Sequence, residues 1–289
     1  MAPVLRTDAG PLSYVVSGPT GSGHPDLVLV HGWCCDRTTL APLRERLERR
    51  HRVVCLDLRG HGGSRQDDDD GSAGVGLERA DLDVEIPAPL RDVTIEDYAD
   101  DVLDIVQDAG LRSPVVVGHS MGGLVALATA ARPPSASRPA GAVLLDPAPV
   151  VNPRAKAFWT DTAAPAVAHD WSGQWRRAFA DALFLPTDSV DRDRLVELFS
   201  APDPRTAAAA ARAMGVFDGA GALAALEVPV LVVHAATVEK GLRDHVRDPS
   251  LLTTGQTVGA GHFHQLEVPD QLEPMIERWL AVTGLDVSR

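Results

Sequence analysis

The sequence predicts an α/β fold, in which buried strands alternate with helices along the chain. Short runs of aliphatic and β-branched residues recur, and continuous apolar runs of this length are typical of strands that are buried on both faces. Between several runs the apolar residues recur at helical spacing. The clearest unit is a strand, a glycine-rich turn and a helix at residues 115–128. The candidate strands are residues 27–30, 53–56, 115–117, 142–145 and 230–233.

The first 64 residues predict a hairpin, two strands and one helix. Val4 to Val16 has the pattern of a hairpin that turns at residues 8–11, where glycine and proline follow an aspartate. The strand at 27–30 leads directly into His31-Gly32-Trp33. Asp36 is a candidate N-cap for a helix that extends to about Arg50, with leucines on one face.

An acidic insert occupies residues 66–91, before the next helix. It contains four consecutive aspartates at 67–70, and then residues 81–86, where charged and apolar residues alternate as in a half-exposed strand. The aspartates lack the ordered spacing of a calcium loop, which favours a solvated acidic loop. Thr94 and Asp97 then resemble a capping box for a helix that ends at Gly110.

Residues 149–225 interrupt the alternation of strands and helices. This stretch is punctuated by prolines and is predicted to be helical near residues 172–184, 189–199 and 205–214. It holds eight of the 13 aromatic residues of the chain. We interpret it as a helical cap segment, so that the core consists of residues 1–148 and 226–289. The rings suggest an apolar ligand, with Trp159 and Trp175 as candidate pocket residues, although such rings also serve to pack a cap onto a core.

After the cap segment the strand at residues 230–233 resumes the sheet, and Thr257 and Val258 are predicted to form the final strand. A C-terminal helix follows. Its predicted buried side carries Leu272, Met275, Ile276, Trp279 and Leu280.

Charge and cysteine content restrict the partners and the compartment. The net charge of −13 disfavours binding to nucleic acid or to an anionic membrane. No stretch is apolar for long enough to cross a bilayer. The three cysteines, Cys34, Cys35 and Cys55, do not make a disulfide framework, so we expect a reducing compartment and a cytoplasmic protein. A homodimer is left open as the assembly.

The stretch 115–123 has the features of a nucleophile elbow. Three valines precede Gly118-x-Ser120-x-Gly122, and an apolar helix follows. A serine on so sharp a turn is strained, and glycines two residues to either side leave room for strand and helix. The same pattern also arises by chance in glycine-rich turns, but the strand and helix around it favour Ser120 as a nucleophile.

Four motifs along the chain together resemble the α/β-hydrolase family. This resemblance implies a mostly parallel eight-stranded sheet with helices on both faces, and a cap inserted between strands six and seven. Ligands then bind at the carboxyl ends of the strands. The motifs are His31-Gly32-Trp33, residues 57–64 (Asp-x-Arg-Gly-His-Gly-x-Ser), residues 118–123 and residues 259–263 (Gly-Ala-Gly-His-Phe).

The resemblance also implies the partners of Ser120. His262 corresponds to the catalytic base, with His264 as a competitor. The family most often places the acid after the strand at 230–233, but no aspartate follows there, and Glu239 is the nearest acidic residue. Some lipases, zearalenone-type lactonases and quinaldine-type dioxygenases place it after the preceding strand, where this chain has Asp146. We therefore assign Asp146, with a turn residue as its alternative role and Glu239 as the alternative acid.

The oxyanion hole is expected to use the backbone N–H groups of Trp33 and Met121, by the same resemblance. The resulting prediction is a serine hydrolase, without cofactor or metal, that cleaves a small apolar ester or lactone, with a zearalenone-type lactone as the specific hypothesis. Dehalogenases and epoxide hydrolases of this fold need an aspartate in place of Ser120. A cofactor-free dioxygenase that uses His262 and Asp146, and a ligand receptor with little turnover, remain alternatives.

Overall fold

The computed structural model describes residues 3–8, 10–65, 93–135 and 137–286. The acidic insert at 66–91, with its predicted strand at 81–86, lies outside the described residues.

One eight-stranded sheet forms the centre of the fold. Its spatial order is β1-β2-β4-β3-β5-β6-β7-β8. β1 pairs with β2 and β2 pairs with β4 in antiparallel fashion, and all the other pairs are parallel. This confirms the predicted α/β fold and its mostly parallel sheet. The strands are Val4–Thr7 (β1), Gly10–Ser17 (β2), Leu27–Val30 (β3), Val53–Leu56 (β4), Val115–His119 (β5), Gly141–Leu145 (β6), Val230–His234 (β7) and Leu252–Gln256 (β8).

Helices cover both faces of the sheet because alternate side chains of each strand point to opposite faces. Every residue of β3 to β7 is buried. Leu27 and Leu29 belong to a cluster with leucines of helices α1 and α11, whereas Val28 and Val30 belong to a second cluster with helices α2 and α3. These helices are Ala41–Leu47 (α1), Ile95–Asp108 (α2), Met121–Ala130 (α3) and Pro269–Val282 (α11).

The first predicted helix is divided in two. Asp36 does act as an N-cap, since its side chain accepts from the N–H of Thr38, but it caps a 3-10 turn at Arg37–Leu40. The α-helix α1 starts only at Ala41, because Pro42 is tolerated in the first turn of a helix and disrupts its interior. The capping box of Thr94 and Asp97 is present at the start of α2 as predicted.

The prediction for the last strand was wrong by several residues. β8 spans Leu252–Gln256, and Val258 lies beyond it with 77% of its surface exposed. β8 is an edge strand that pairs with β7 alone and buries only Leu252. Its polar sequence therefore lacks the apolar run by which the central strands were recognised.

Between β6 and β7 the cap segment is helical. The three predicted helical stretches correspond to α6, α7 and α8, but α4, α5, α9 and a π-helical turn at Trp159–Ala163 were missed. Prolines begin two of these helices: Pro153 is in the first turn of α4, and Pro165 in that of α5. The helices are Pro153–Phe158 (α4), Ala164–Ala168 (α5), Gln174–Asp181 (α6), Arg192–Ser200 (α7), Pro204–Val216 (α8) and Gly219–Ala224 (α9).

The short helix α10, His264–Glu267, follows the last strand and precedes α11. The division of the chain into a core and a cap domain stays a prediction. Within the residues that the structure describes, no helix has both the length and the apolar character needed to cross a bilayer.

Candidate active site

Ser120 lies in a strained turn between β5 and α3. Its backbone has φ 55° and ψ −117°, a conformation that residues other than glycine rarely adopt. The turn is also crowded: a Cβ on Gly118 would lie 1.8 Å from the carbonyl oxygen of Gly122, and a Cβ on Gly122 would lie 2.3 Å from that of Val30. The two glycines are therefore required by close approach of the backbone.

Asp146 and His262 are joined directly. The Nδ1 of His262 lies 2.7 Å from Oδ2 of Asp146, and Oδ1 of Asp146 accepts from the N–H of Ala235 at 2.9 Å. Burial alone would raise the pKa of Asp146, but the hydrogen bond and charge of His262, together with the Ala235 N–H, outweigh it and lower that pKa. The carboxylate is thus ionised, so Nδ1 of His262 donates and Nε2 is left as the proton acceptor.

The backbone connects Asp146 to Ser120 as well. Asp146 follows β6 with φ 38°, and its N–H donates to the carbonyl of Val233. The N–H of Ser120 donates to the carbonyl of Leu145, and the carbonyl of Ser120 accepts from the N–H of Ala148. The residues on both sides of Asp146 are therefore bonded to the serine turn.

Glu239, the alternative acid, is engaged elsewhere. Its Oε1 accepts from the N–H groups of Val151 and Asn152, and its Oε2 accepts from that of Val150, all at 2.9 Å. These residues begin the cap segment. Of the two candidate acids, the structure brings only Asp146 to the ring of His262.

The other histidines near Ser120 are buried. Burial lowers the pKa of His264 to about 4, and its Nδ1 lies 3.0 Å from the Thr257 hydroxyl. His119 is fully buried with its pKa well below the ordinary value because of burial, and its Nε2 donates to the carbonyl of His262 at 2.9 Å. Neither His264 nor His119 lines the cavity beside Ser120. His234 does line it, but of these rings only that of His262 is hydrogen-bonded to Asp146.

Ser120 and His262 line one cavity, but no hydrogen bond joins the Ser120 hydroxyl to the His262 ring in this structure. Hydrogen bonds of this kind are often long in an empty site and shorten when substrate binds. The geometry therefore provides a completed Asp146–His262 pair beside a half-buried serine that lines the same cavity.

Two backbone N–H groups are free to serve as oxyanion donors. Met121 is the first residue of α3, where an N–H has no partner within the helix. The N–H groups of Trp33 and Met121 make no hydrogen bond to any described residue. The loop of Trp33 lies against the serine, because a Cβ on Gly32 would be 3.0 Å from the Ser120 Cβ.

The cavity has a volume of about 730 Å³ and a mostly apolar wall, to which five aromatic side chains contribute. Trp159 lines it as predicted, but Trp175 does not: its ring lies on that of Phe179, with centroids 5.4 Å apart and planes 6° apart. Most of the residues that line the cavity were not identified from the sequence, because the position of a ring on a helix does not show which neighbour covers it. The aromatic lining residues are Trp33, Phe158, Trp159, Phe179 and Phe199.

Trp33 connects the core to the cap segment. Its ring makes an edge contact with Trp159 at 5.2 Å between centroids, and its indole N–H donates to the carbonyl of Ala207 at 2.8 Å. The sequence singled out Trp33 for its backbone alone. Its position directly after the apolar strand β3, at the carboxyl edge of the sheet, was the signal that the side chain also faces the site.

No group of three or more His, Cys, Asp or Glu side chains is arranged to hold a metal ion among the residues with described positions. The aspartate run at 67–70 is not among these residues.

Comparison with known proteins agrees with this fold. The family model described as "Alpha/beta hydrolase family" matches residues 27–274. A pimeloyl-[acyl-carrier protein] methyl ester esterase of Stenotrophomonas maltophilia (strain R551-3) is 28% identical over 259 residues, which cover 84% of this chain and 83% of that protein. A 3-oxoadipate enol-lactonase 1 of Acinetobacter baylyi (strain ATCC 33305 / BD413 / ADP1) is 25% identical over 271 residues, covering 90% and 89%.

A solved structure shares the architecture over its whole length. The thermophilic esterase from Thermogutta terrifontis superimposes with a TM-score of 0.75 at 24% identity, covering 99% of this chain and 100% of that one. This likeness bears on the fold. Because the family model spans most of the chain and the described sheet has the order given above, the chain belongs to the alpha/beta hydrolase family.

Proposed function

We propose that the chain is a serine hydrolase that cleaves a carboxylic ester or a lactone through an acyl-enzyme. The observation that carries the proposal is the 2.7 Å contact between Asp146 and His262 in the cavity that Ser120 lines. The two curated relatives described above are named as an esterase and an enol-lactonase, which supports ester or lactone hydrolysis at the level of the family.

In the first half of the reaction, Ser120 attacks the carbonyl carbon. His262 takes the hydroxyl proton on Nε2, because its Nδ1 already carries the proton that it donates to Asp146. The ionised Asp146 stabilises the imidazolium that forms. The N–H groups of Trp33 and Met121 stabilise the negative charge that develops on the carbonyl oxygen.

The first half ends when the proton on His262 Nε2 passes to the departing alkoxide, which leaves an acyl group on Ser120. In the second half, water gives a proton to His262 and attacks the acyl carbon, and that proton returns to the Ser120 oxygen as the acid is released. In a lactone the alkoxide belongs to the same molecule as the acyl group. The ring opens in the first half, and a single hydroxy acid leaves in the second.

The cavity supports an apolar acyl or ring portion. Its volume of about 730 Å³ is within the range that holds small organic ligands, roughly 300–1,000 Å³. Rings of Trp33, Phe158 and Trp159 form part of its wall. A bulky apolar lactone of the zearalenone type remains the specific hypothesis for the substrate.

A cofactor-free dioxygenase is the second candidate. That chemistry needs chiefly the His262–Asp146 pair, which is present, and it does not need the hydrogen bond between Ser120 and His262, which is absent here. The strained serine turn and the free N–H groups favour hydrolysis, because a dioxygenase has no use for a serine nucleophile. A receptor with little turnover would have no use for the serine or for the His262–Asp146 pair.

One experiment separates the three functions. Wild type and Ser120→Ala are assayed on p-nitrophenyl butyrate and on a panel of lactones, with oxygen uptake recorded on heteroaromatic substrates. Hydrolysis requires turnover in wild type, its loss in Ser120→Ala, and labelling of Ser120 by an alkylphosphonate. Oxygen uptake that survives Ser120→Ala would indicate the dioxygenase, and ligand binding without turnover would indicate a receptor.

A further inference from the structure

The loop that carries His262 is hydrogen-bonded to the cap segment through its backbone. The N–H of Gly261 donates to Oδ1 of Asp188 at 2.9 Å, and the N–H of His262 donates to the carbonyl of Leu183 at 3.2 Å. The other carboxylate oxygen of Asp188 accepts from the N–H of Leu185 at 2.8 Å. Asp188 thus holds its own turn and the residue before His262 at the same time.

Gly261 shows how closely the two segments approach. A Cβ at this position would lie 2.4 Å from Oδ2 of Asp188 and 3.0 Å from the carbonyl oxygen of Leu183. Gly261 is not among the residues with positive φ, whereas Gly259 has φ 77°. The backbone angle therefore explains the first glycine of the motif, and contact with the cap segment explains the second.

Neighbouring contacts extend the attachment along the chain. Glu267 accepts from the N–H groups of Ser189 and Val190 at 2.6 and 3.0 Å. The ring of Phe184 stacks on that of Phe263, with centroids 5.1 Å apart. Residues 183–190 of the cap segment therefore contact residues 261–267 at several points along both segments.

We propose that Asp188 is a positioning residue for His262, an inference that rests on the function proposed above. The imidazole is oriented by Asp146, but the backbone beneath it is oriented by the cap segment. A hydrogen bond from an N–H to a carboxylate is stronger than one to a neutral carbonyl, so the bond from Gly261 to Asp188 is a stronger attachment than the bond from His262 to Leu183. A displacement of about 1 Å at a reacting group lowers the rate by up to about 100-fold.

The test begins with two substitutions of graded severity. Asp188→Ala removes both acceptors, and kcat on p-nitrophenyl butyrate is expected to fall roughly 10- to 100-fold, with KM within about threefold of wild type. Asp188→Asn keeps one acceptor oxygen, and its kcat is expected to lie between those of wild type and Asp188→Ala. The matched control is Asp181→Asn, because Asp181 is in the same cap segment but pairs with Arg192 on its exposed surface. Its kcat is expected to equal that of wild type.

A readout without substrate separates this inference from the proposed function. In protein labelled with 15N-histidine, the ring shifts of His262, assigned from a His262→Asn variant, report which nitrogen carries the proton. We expect one Nδ1–H tautomer in wild type and in Asp181→Asn, and a mixture in Asp188→Ala. If wild type cleaves no ester, the proposed function fails, and the ring shifts still decide the role of Asp188.

The proposal is overturned if Asp188→Ala is folded and keeps the wild-type ring shifts, whatever its kcat. A fall in kcat with unchanged ring shifts would mean that Asp188 shapes the cavity and does not position His262. If Asp188→Ala does not fold, Asp188→Asn and Gly261→Ala take its place, because the first keeps one acceptor oxygen and the second forces the two segments apart at the same contact. Unchanged ring shifts in both overturn the proposal.

Discussion

Replacing Asp146 by asparagine isolates the role of its charge. The N–H of Ala235 needs an oxygen at the Oδ1 position, so the amide NH₂ of the introduced side chain would face His262. Two donors would then meet, because Nδ1 of His262 also carries a proton. The ring must either turn away or adopt the other tautomer, which places a proton on Nε2. In both cases His262 cannot accept the proton of Ser120.

The expected loss in kcat is about 10³- to 10⁴-fold, with KM little changed, because removal of the acid in this way leaves the serine and the oxyanion donors in place. This corresponds to about 4–5.5 kcal/mol of transition-state stabilisation. Steady-state kinetics on p-nitrophenyl butyrate, with circular dichroism and thermal denaturation of both proteins, measure it.

The matched comparison is Glu239→Gln. Its side chain contacts the N–H groups of Val150, Val151 and Asn152 and not the ring of His262, so kcat is expected to stay within about threefold of wild type, with a change in KM through the cavity wall. A folded Asp146→Asn variant with near wild-type kcat, or a Glu239→Gln variant with the larger loss, would refute the assignment of the acid.

Three further predictions follow from the same structure. Burial lowers the pKa of His61 to about 3 and that of His264 to about 4, from 6.5, so the unfolded chain binds protons there that the folded chain does not. The free energy of unfolding is therefore highest above pH 6.5 and falls towards pH 4, by about 1.4 kcal/mol per pH unit for each histidine. Urea unfolding at pH 7, 6 and 5 measures this fall, and a free energy of unfolding that does not change with pH would contradict it. Trp159→Ala is expected to raise KM about tenfold more for p-nitrophenyl hexanoate than for p-nitrophenyl acetate. In the same assay the corresponding difference for Trp175→Ala is expected to be less than about threefold, and equal effects of the two variants would place both rings in the cavity. Gly122→Ala is expected to lose about 3 kcal/mol or more, because its Cβ would lie 2.3 Å from the carbonyl oxygen of Val30; an unchanged Tm would contradict this.

Features set by neighbours in the sequence were predictable. The strand, the two glycines and the apolar helix around Ser120 describe a turn whose crowding is local, and the structure reproduces it. The capping box at Thr94 is equally local. Asp146 was identified through the resemblance to the family, some of whose members place the acid directly after the strand that precedes the usual one.

Features set by distant partners were not predictable in the same way. β8 has a polar sequence because only Leu252 of its side chains is buried, so its location depends on pairing with β7 and not on its own pattern. The choice between Trp175 and Phe179 as a cavity residue depends on how α6 is rotated against the core. The role of Asp188 depends on a residue more than 70 positions further along the chain.

The hydrogen bonds around Ser120 join the serine turn directly to the residues beside Asp146. Of Ser120, His262 and Asp146, His262 is the one whose backbone is hydrogen-bonded to the cap segment. Sequence drift in the cap during divergence would thus leave the nucleophile and the acid aligned with each other. Such changes would first alter the rate of proton transfer at His262, so substrate range and catalytic rate in this chain are expected to change together.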